Sequence, residues 1–175
     1  MTELLVLCTG NAARSVMAGF MLDHLRLDRP DTALHIVTAG THTIDGQPMG
    51  LRTRSALRTI PELADAALGR HRSRQVYEAD LVRADLVVVM EADHVRFVRR
   101  QFPEAADRTA TIRRLCGDLP PAPPSLGARV AALELADASL SDRDDVIDPA
   151  GGDETTYVAC VAELWGLSRQ LITLL

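Results

Sequence analysis

Apolar positions along this 175-residue chain fall into short unbroken runs, separated by stretches where they recur at helical spacing. Leu4-Leu5-Val6-Leu7-Cys8 has no polar interruption, so residues 3–8 read as a short strand buried on both faces. Small and polar residues follow from Thr9 to Arg14. Then Met17, Phe20, Met21 and Leu25 mark one face of a helix that Ser15 is suited to cap. Leu34–Thr38 reads as a second strand ended by Ala39-Gly40, and a polar loop with Gly46 and Pro48 leads into a helix over about 48–60. Residues 74–83 read as helix, Ala84–Met90 as a third, fully buried strand, 91–100 as helix, and the stretch near Ala110–Leu115 as a fourth strand.

Beyond Cys116 the pattern loosens. Pro120, Pro121, Pro123 and Pro124 cannot sit inside regular structure and mark a stiff connection. Ser125–Ala138 reads as a helix with Leu126, Val130 and Leu133 on one side. An acidic turn, Asp142–Asp145, then leads to Asp148-Pro149. A final helix runs from about Asp153 to Leu175, with Val161, Leu164, Trp165, Leu171 and Ile172 placed to pack on the sheet. Val- and Leu-rich strands alternating with helices predict an α/β fold. The expectation is a single three-layer domain over 1–175: a central parallel sheet of about four strands, helices on both faces, and a Pro-rich and helical insertion at about 118–145. Such sheets bind ligands at the carboxyl ends of their strands. Cys8 lies at such an end.

Composition narrows the class. Aromatics are 3% of the chain, so the core must come from Leu, Val, Ala and Ile. A net charge of −5 gives no reason to expect nucleic acid or an anionic membrane as partner. The arginines between Arg52 and Arg114 read as solvated helix faces. The N-terminal apolar run is too short, and lacks the basic flank, for a signal peptide. No stretch approaches the roughly 18 apolar residues of a membrane span. Cys8, Cys116 and Cys160 are odd in number and form no C-x-x-C pair, which argues against a disulfide framework or a cysteine zinc site. A reduced, cytoplasmic protein is expected; oligomeric state is not indicated.

The chemistry concentrates in Cys8-Thr9-Gly10-Asn11-Ala12-Ala13-Arg14-Ser15. A loop of small residues between a strand and a helix can turn several backbone N–H groups toward one centre, and the helix end adds its positive dipole. Gly10 and Asn11 tolerate positive φ. Arg14 would hold two phosphate oxygens in its fork. The same donors favour a thiolate, the nucleophilic form of cysteine, and Ser15 can add a hydroxyl hydrogen bond to the sulfur. Residues 9–15 are therefore candidate phosphate ligands, with Cys8 as the nucleophile. A merely packed cysteine at a strand end would not need Gly10, Asn11, Arg14 and Ser15 around it.

This stretch resembles the signature of the low-molecular-weight protein tyrosine phosphatase family, Cys-x5-Arg-Ser at the N-terminus with Gly-Asn inside the loop. Thr38-Ala39-Gly40-Thr41, His71-Arg72-Ser73-Arg74-Gln75, Ala84–Glu91 and Asp148-Pro149 match further segments of that family in order. The resemblance implies a metal-independent, cofactor-free phosphate-monoester hydrolase working through a cysteinyl-phosphate. Its partner would be a phosphotyrosine protein or a small phosphate ester. Asp148 would be the general acid and then the base, with Asp144 and Asp145 as nearby fallbacks. His71 would be a supporting residue bonded to Asn11.

Three departures are visible. Ala13 stands where many members carry a second loop cysteine, so their protective disulfide is not expected here. Val16 replaces the usual proline. Ala150-Gly151-Gly152 follows Asp148-Pro149 where members acting on phosphotyrosine carry aromatics, and Tyr157 lies too far along to be taken as a substitute. The alternatives that remain are an arsenate reductase using the same loop with Cys116 and Cys160, a phosphatase for a small metabolite, and a non-catalytic anion-binding module.

Overall fold

Burial on two sides makes the run Leu4–Leu7 the centre of a sheet. In the computed structural model, which describes residues 1–29 and 33–175, β1 (Thr2–Cys8) pairs in parallel with β2 (Leu34–Gly40) on one side and β3 (Leu86–Val89) on the other. A three-residue β4 (Thr109–Thr111) pairs with β3, giving the all-parallel order β2-β1-β3-β4. Side chains alternate between two cores. Leu4, Val6, Cys8, Leu86 and Val88 join α1 (Arg14–Leu25), α2 (Leu51–Leu57), α5 (Ile112–Asp118) and α7 (Glu154–Leu174). Leu5, Leu7, Val87 and Val89 face α3 (Glu78–Arg83) and α4 (Ala92–Gln101). Helices therefore cover both faces, as expected for a parallel sheet. Among the described residues no helix is long and apolar enough to cross a membrane.

Several elements differ from the sequence expectation, each for a local reason. The run expected as a strand near Ala110–Leu115 divides after Thr111, whose hydroxyl accepts from the Arg114 N–H (3.2 Å) and caps α5. The expected helix over 74–83 begins only at Glu78, because the Asp80 carboxylate accepts from the Tyr77 N–H (3.0 Å) and from the Arg74 guanidinium. The helix expected over 48–60 is confined to α2. The helix expected over Ser125–Ala138 shortens to α6 (Leu126–Ala131), with Glu134 at positive φ beyond it. Ser15 lies inside α1, which begins at Arg14, and among the described residues no side chain caps that helix.

The Pro-rich stretch is organised by one buried side chain. Arg129 donates to the carbonyls of Pro120 (2.9 Å), Pro124 (2.9 Å) and Leu174 (2.6 Å), joining that stretch to the C-terminal end of α7. At the other end of the sheet, β1 and β3 lie side by side, and the helices that follow them, α1 and α4, pack on opposite faces. The crevice at the carboxyl ends of these two strands is the switch point where α/β sheets bind ligands.

Candidate active site

Six consecutive carbonyls of the loop after β1 are each drawn outward by a different donor. Cys8 and Thr9 carbonyls accept from the N–H groups of Thr41 and His42, both at 2.9 Å. Gly10 O accepts from the Thr43 hydroxyl (2.7 Å), Asn11 O from His71 Nε2 (2.9 Å), Ala12 O from the Thr53 hydroxyl (3.0 Å) and Ala13 O from the Met17 N–H (2.8 Å). In a trans peptide the N–H points opposite to the C=O. Outward carbonyls on residues 8–13 therefore turn the N–H groups of residues 9–14 to the inside of the loop, beside Cys8.

Asn11 is the loop residue at positive φ (46°), a conformation asparagine tolerates, whereas Gly10 does not use its freedom. Asn11 holds the bend with both ends of its amide: Oδ1 accepts from the Arg74 N–H (3.0 Å) and Nδ2 donates to Ser15 Oγ (3.1 Å). Ser15 Oγ is in turn 3.0 Å from Cys8 Sγ, so its hydroxyl proton is free to go to the sulfur. Gly40 is needed at the end of β2. A Cβ there would sit 2.7 Å from Thr9 O and 3.0 Å from Asn11 N.

The Arg14 side chain is 3% exposed. Nη1 donates to Glu91 Oε2 (2.5 Å) and to the Val146 carbonyl (3.2 Å), while Nη2 lies 3.0 Å from Asp148 Oδ2. Burial works to lower its pKa, but the hydrogen bond and charge of Glu91, helped by Asp148 and Cys8, outweigh it and leave the pKa raised. The guanidinium is thus a permanent cation. Asp148 lies in an exposed loop that is placed by Val146, whose N–H donates to Met90 O (2.8 Å) at the end of β3. Asp145 is occupied elsewhere, accepting from the Ala92 N–H (2.7 Å) at the start of α4. Asp144 lines a separate cavity with Arg99 and Arg114.

Cys8, Arg14 and Asp148 border one cleft of about 360 Å³, together with Thr53, Ala150 and Tyr157. Tyr157 belongs to that wall, contrary to the reading that it lay too far along the chain. Asp153 caps α7 by accepting from the Thr156 N–H (2.9 Å), and Tyr157 in the first turn of that helix lines the cleft with Asp148.

The sequence profile described as low molecular weight phosphotyrosine protein phosphatase matches residues 3–121. The chain belongs to this family. A low molecular weight protein-tyrosine-phosphatase of Streptomyces coelicolor is 34% identical over 168 residues, covering 94% of this chain and 88% of that protein. A protein-arginine-phosphatase of Geobacillus stearothermophilus is 29% identical over 170 residues, covering 97% and 93%. The crystal structure of a low molecular weight protein tyrosine phosphatase from T. tengcongensis superposes with a TM-score of 0.77 at 27% identity, over the whole of both chains. The α/β architecture is that of the low-molecular-weight phosphatases, and the protein is a cysteine-dependent phosphatase of that family. The profile match spans the loop and stops before Asp148.

Sequence reasoning singled out the loop, His71 and Asp148; the fold brings the loop and Asp148 to one cleft and sets His71 behind the loop, on the Asn11 carbonyl. It missed the groups that orient them. Thr43 and Thr53 had no signal beyond being hydroxyls in polar segments. Glu91 and His94 had one, since the residues directly after β3 lie at a strand's carboxyl end beside β1. Cys116 and Cys160 are free thiols. Burial pushes the Cys116 thiol up to about 11 and the Cys160 thiol up to about 12, so both are protonated at neutral pH.

Proposed function

We propose that Cys8 attacks the phosphorus of a bound phosphoryl group, forming a cysteinyl-phosphate and breaking the bond to the leaving atom. Six inward N–H groups and the Arg14 fork carry the charge that develops on the phosphoryl oxygens. Asp148 gives its proton to the leaving oxygen or nitrogen. As a carboxylate it then takes a proton from the water that attacks phosphorus, which frees inorganic phosphate and restores the Cys8 thiolate. Ser15 supports the thiolate. His71 and Asn11 keep the loop in shape. The observation that carries this reading is the run of outward carbonyls from Cys8 to Ala13 around a sulfur that Ser15 reaches at 3.0 Å.

The substrate is a phosphorylated protein side chain, and phosphotyrosine is the first choice. Tyr157 supplies an aromatic surface in the cleft wall, the group that the Asp148-Pro149-Ala150 loop itself lacks. A second reading, phosphoarginine, is favoured by two observations. Gly50 and Ala150 leave that wall otherwise small, and the Geobacillus relative is named for arginine phosphatase activity. The arsenate reductase reading needs two thiols ready to relay a disulfide, and the protonated, buried state of Cys116 and Cys160 argues against it. A cytoplasmic location fits these substrates.

The test is kcat/KM on matched peptides bearing phosphotyrosine, phosphoarginine or phosphoserine, in the native chain and in Tyr157→Ala. The first choice predicts that the phosphotyrosine peptide leads and loses most from Tyr157→Ala. A lead for phosphoarginine, with no effect of Tyr157→Ala, would select the second reading.

A further inference from the structure

One buried titratable group at the site has no part in the mechanism so far. His94, in the first turn of α4, is 2% exposed. Its Nε2 lies 3.0 Å from the Thr9 hydroxyl and 3.3 Å from Glu91 Oε1, while its Nδ1 is buried with no partner among the described residues. Glu91 holds Arg14 through its other oxygen. Thr9 and Arg14 are the two ends of the phosphate loop, so a single helical turn, Glu91-x-x-His94, braces both.

We propose that His94 is a positioning residue that makes the Thr9 hydroxyl a donor to the bound phosphoryl group. The inference rests on the proposed function, since it takes the loop to be the phosphoryl site. The argument turns on which nitrogen carries the proton. A proton on Nδ1 would be a buried N–H without an acceptor, and it would turn the Nε2 lone pair toward the Glu91 carboxylate, which only accepts. The proton therefore sits on Nε2. Burial, with the neighbouring Arg14 cation second, keeps the ring neutral, its pKa lowered to about 4. An Nε2–H donates to Thr9 Oγ1, so the Thr9 hydroxyl does not donate its own proton to His94. That proton is free to turn to the cleft, which Thr9 lines. With the proton on Nδ1 instead, Nε2 would accept from Thr9 and take away the donor.

Two measurements test this. Ring-nitrogen NMR of the native protein should show His94 neutral and protonated at Nε2 at neutral pH; a neutral ring protonated at Nδ1 would overturn the proposal. Calorimetry with inorganic phosphate should show about tenfold weaker binding for His94→Ala and for Thr9→Val. The double variant should be hardly worse than either, because both remove one donor. His94→Gln, which keeps an N–H near the Nε2 position, should recover most of the affinity. Additive losses, or no rescue by Gln, would leave His94 as packing alone and sink the inference. If His94→Ala does not fold, His94→Gln with Thr9→Val and the NMR assignment still decide. Phosphate binding to the native chain is the control, since its absence would count against the proposed function and not against the role of His94.

Discussion

The two halves of the proposed catalytic apparatus are built in opposite ways. Cys8 to Ser15 is a contiguous loop whose every carbonyl up to Ala13 is fixed from outside, by groups from the 41–43 loop, α2, the segment around His71 and α1. Asp148 comes at the end of a long and largely irregular stretch after α5. It is exposed, and it is placed by a few bonds at Val146, its contact with Arg14 and its own turn with the Ala150 N–H (3.1 Å). The proposed anion site is over-determined, while the proposed acid is set down beside it and left in contact with solvent. This division suits the reaction. Charge stabilisation depends on donors that do not reorganise, whereas a group that is acid in one step and base in the next must meet both leaving group and water.

Replacing Cys8 with Ser strikes the rigid half and should have the largest effect. Turnover of every phosphorylated substrate should fall at least about a thousandfold, with phosphate binding by calorimetry retained. Asp148→Asn strikes the other half. It should lower kcat by about 10²–10⁴-fold on substrates with poor leaving groups, and by much less on an activated aryl phosphate. Equal losses on both would remove Asp148 from the acid role and dissolve the comparison.

The pH dependence of stability should show how deeply the rigid half is buried. His94 titrates at about 4 when folded and near 6.5 when unfolded, so between those values the unfolded chain binds a proton that the folded chain refuses. Stability should be full above about pH 6.5 and decline by up to about 3 kcal/mol as the pH falls to 4. His94→Gln should flatten that slope in denaturant titrations. His71, whose pKa is also lowered, chiefly by burial, contributes with the same sign. The smallest effect on activity is expected far from the loop. Arg129→Ala should cost about 1–3 kcal/mol of stability by freeing three carbonyls, yet leave kcat/KM on a small aryl phosphate unchanged. A large loss of activity would mean that the Pro-rich stretch governs the site after all.

What could be read from the sequence follows the same division. β1, β2, β3, α4 and α7 were legible because burial imposes a clear pattern, continuous for buried strands and helical for the others. The loop was legible because its chemistry is local. The end of β4 and the starts of α3 and α5 were not, since the side chains of Asp80 and Thr111 bond the backbone there and set where each element begins or stops. The cap assigned to Ser15 failed because its hydroxyl is spent on Cys8 and Asn11. Glu91, Thr53 and Tyr157 reach the site from distant parts of the chain. No spacing along one sequence records that a helix turn will fold back beside a loop.

Gly40 shows how narrow the room for change is at this site. The end of β2 passes so close to Thr9 and Asn11 that one added methyl group would press on the phosphate loop itself. An alanine here would remove no reacting group and leave the sheet pairing available, yet the loop would have to shift to admit it. A chain could thus lose its chemistry by a single carbon placed on a neighbouring strand, while still carrying Cys8, Arg14 and Asp148 intact.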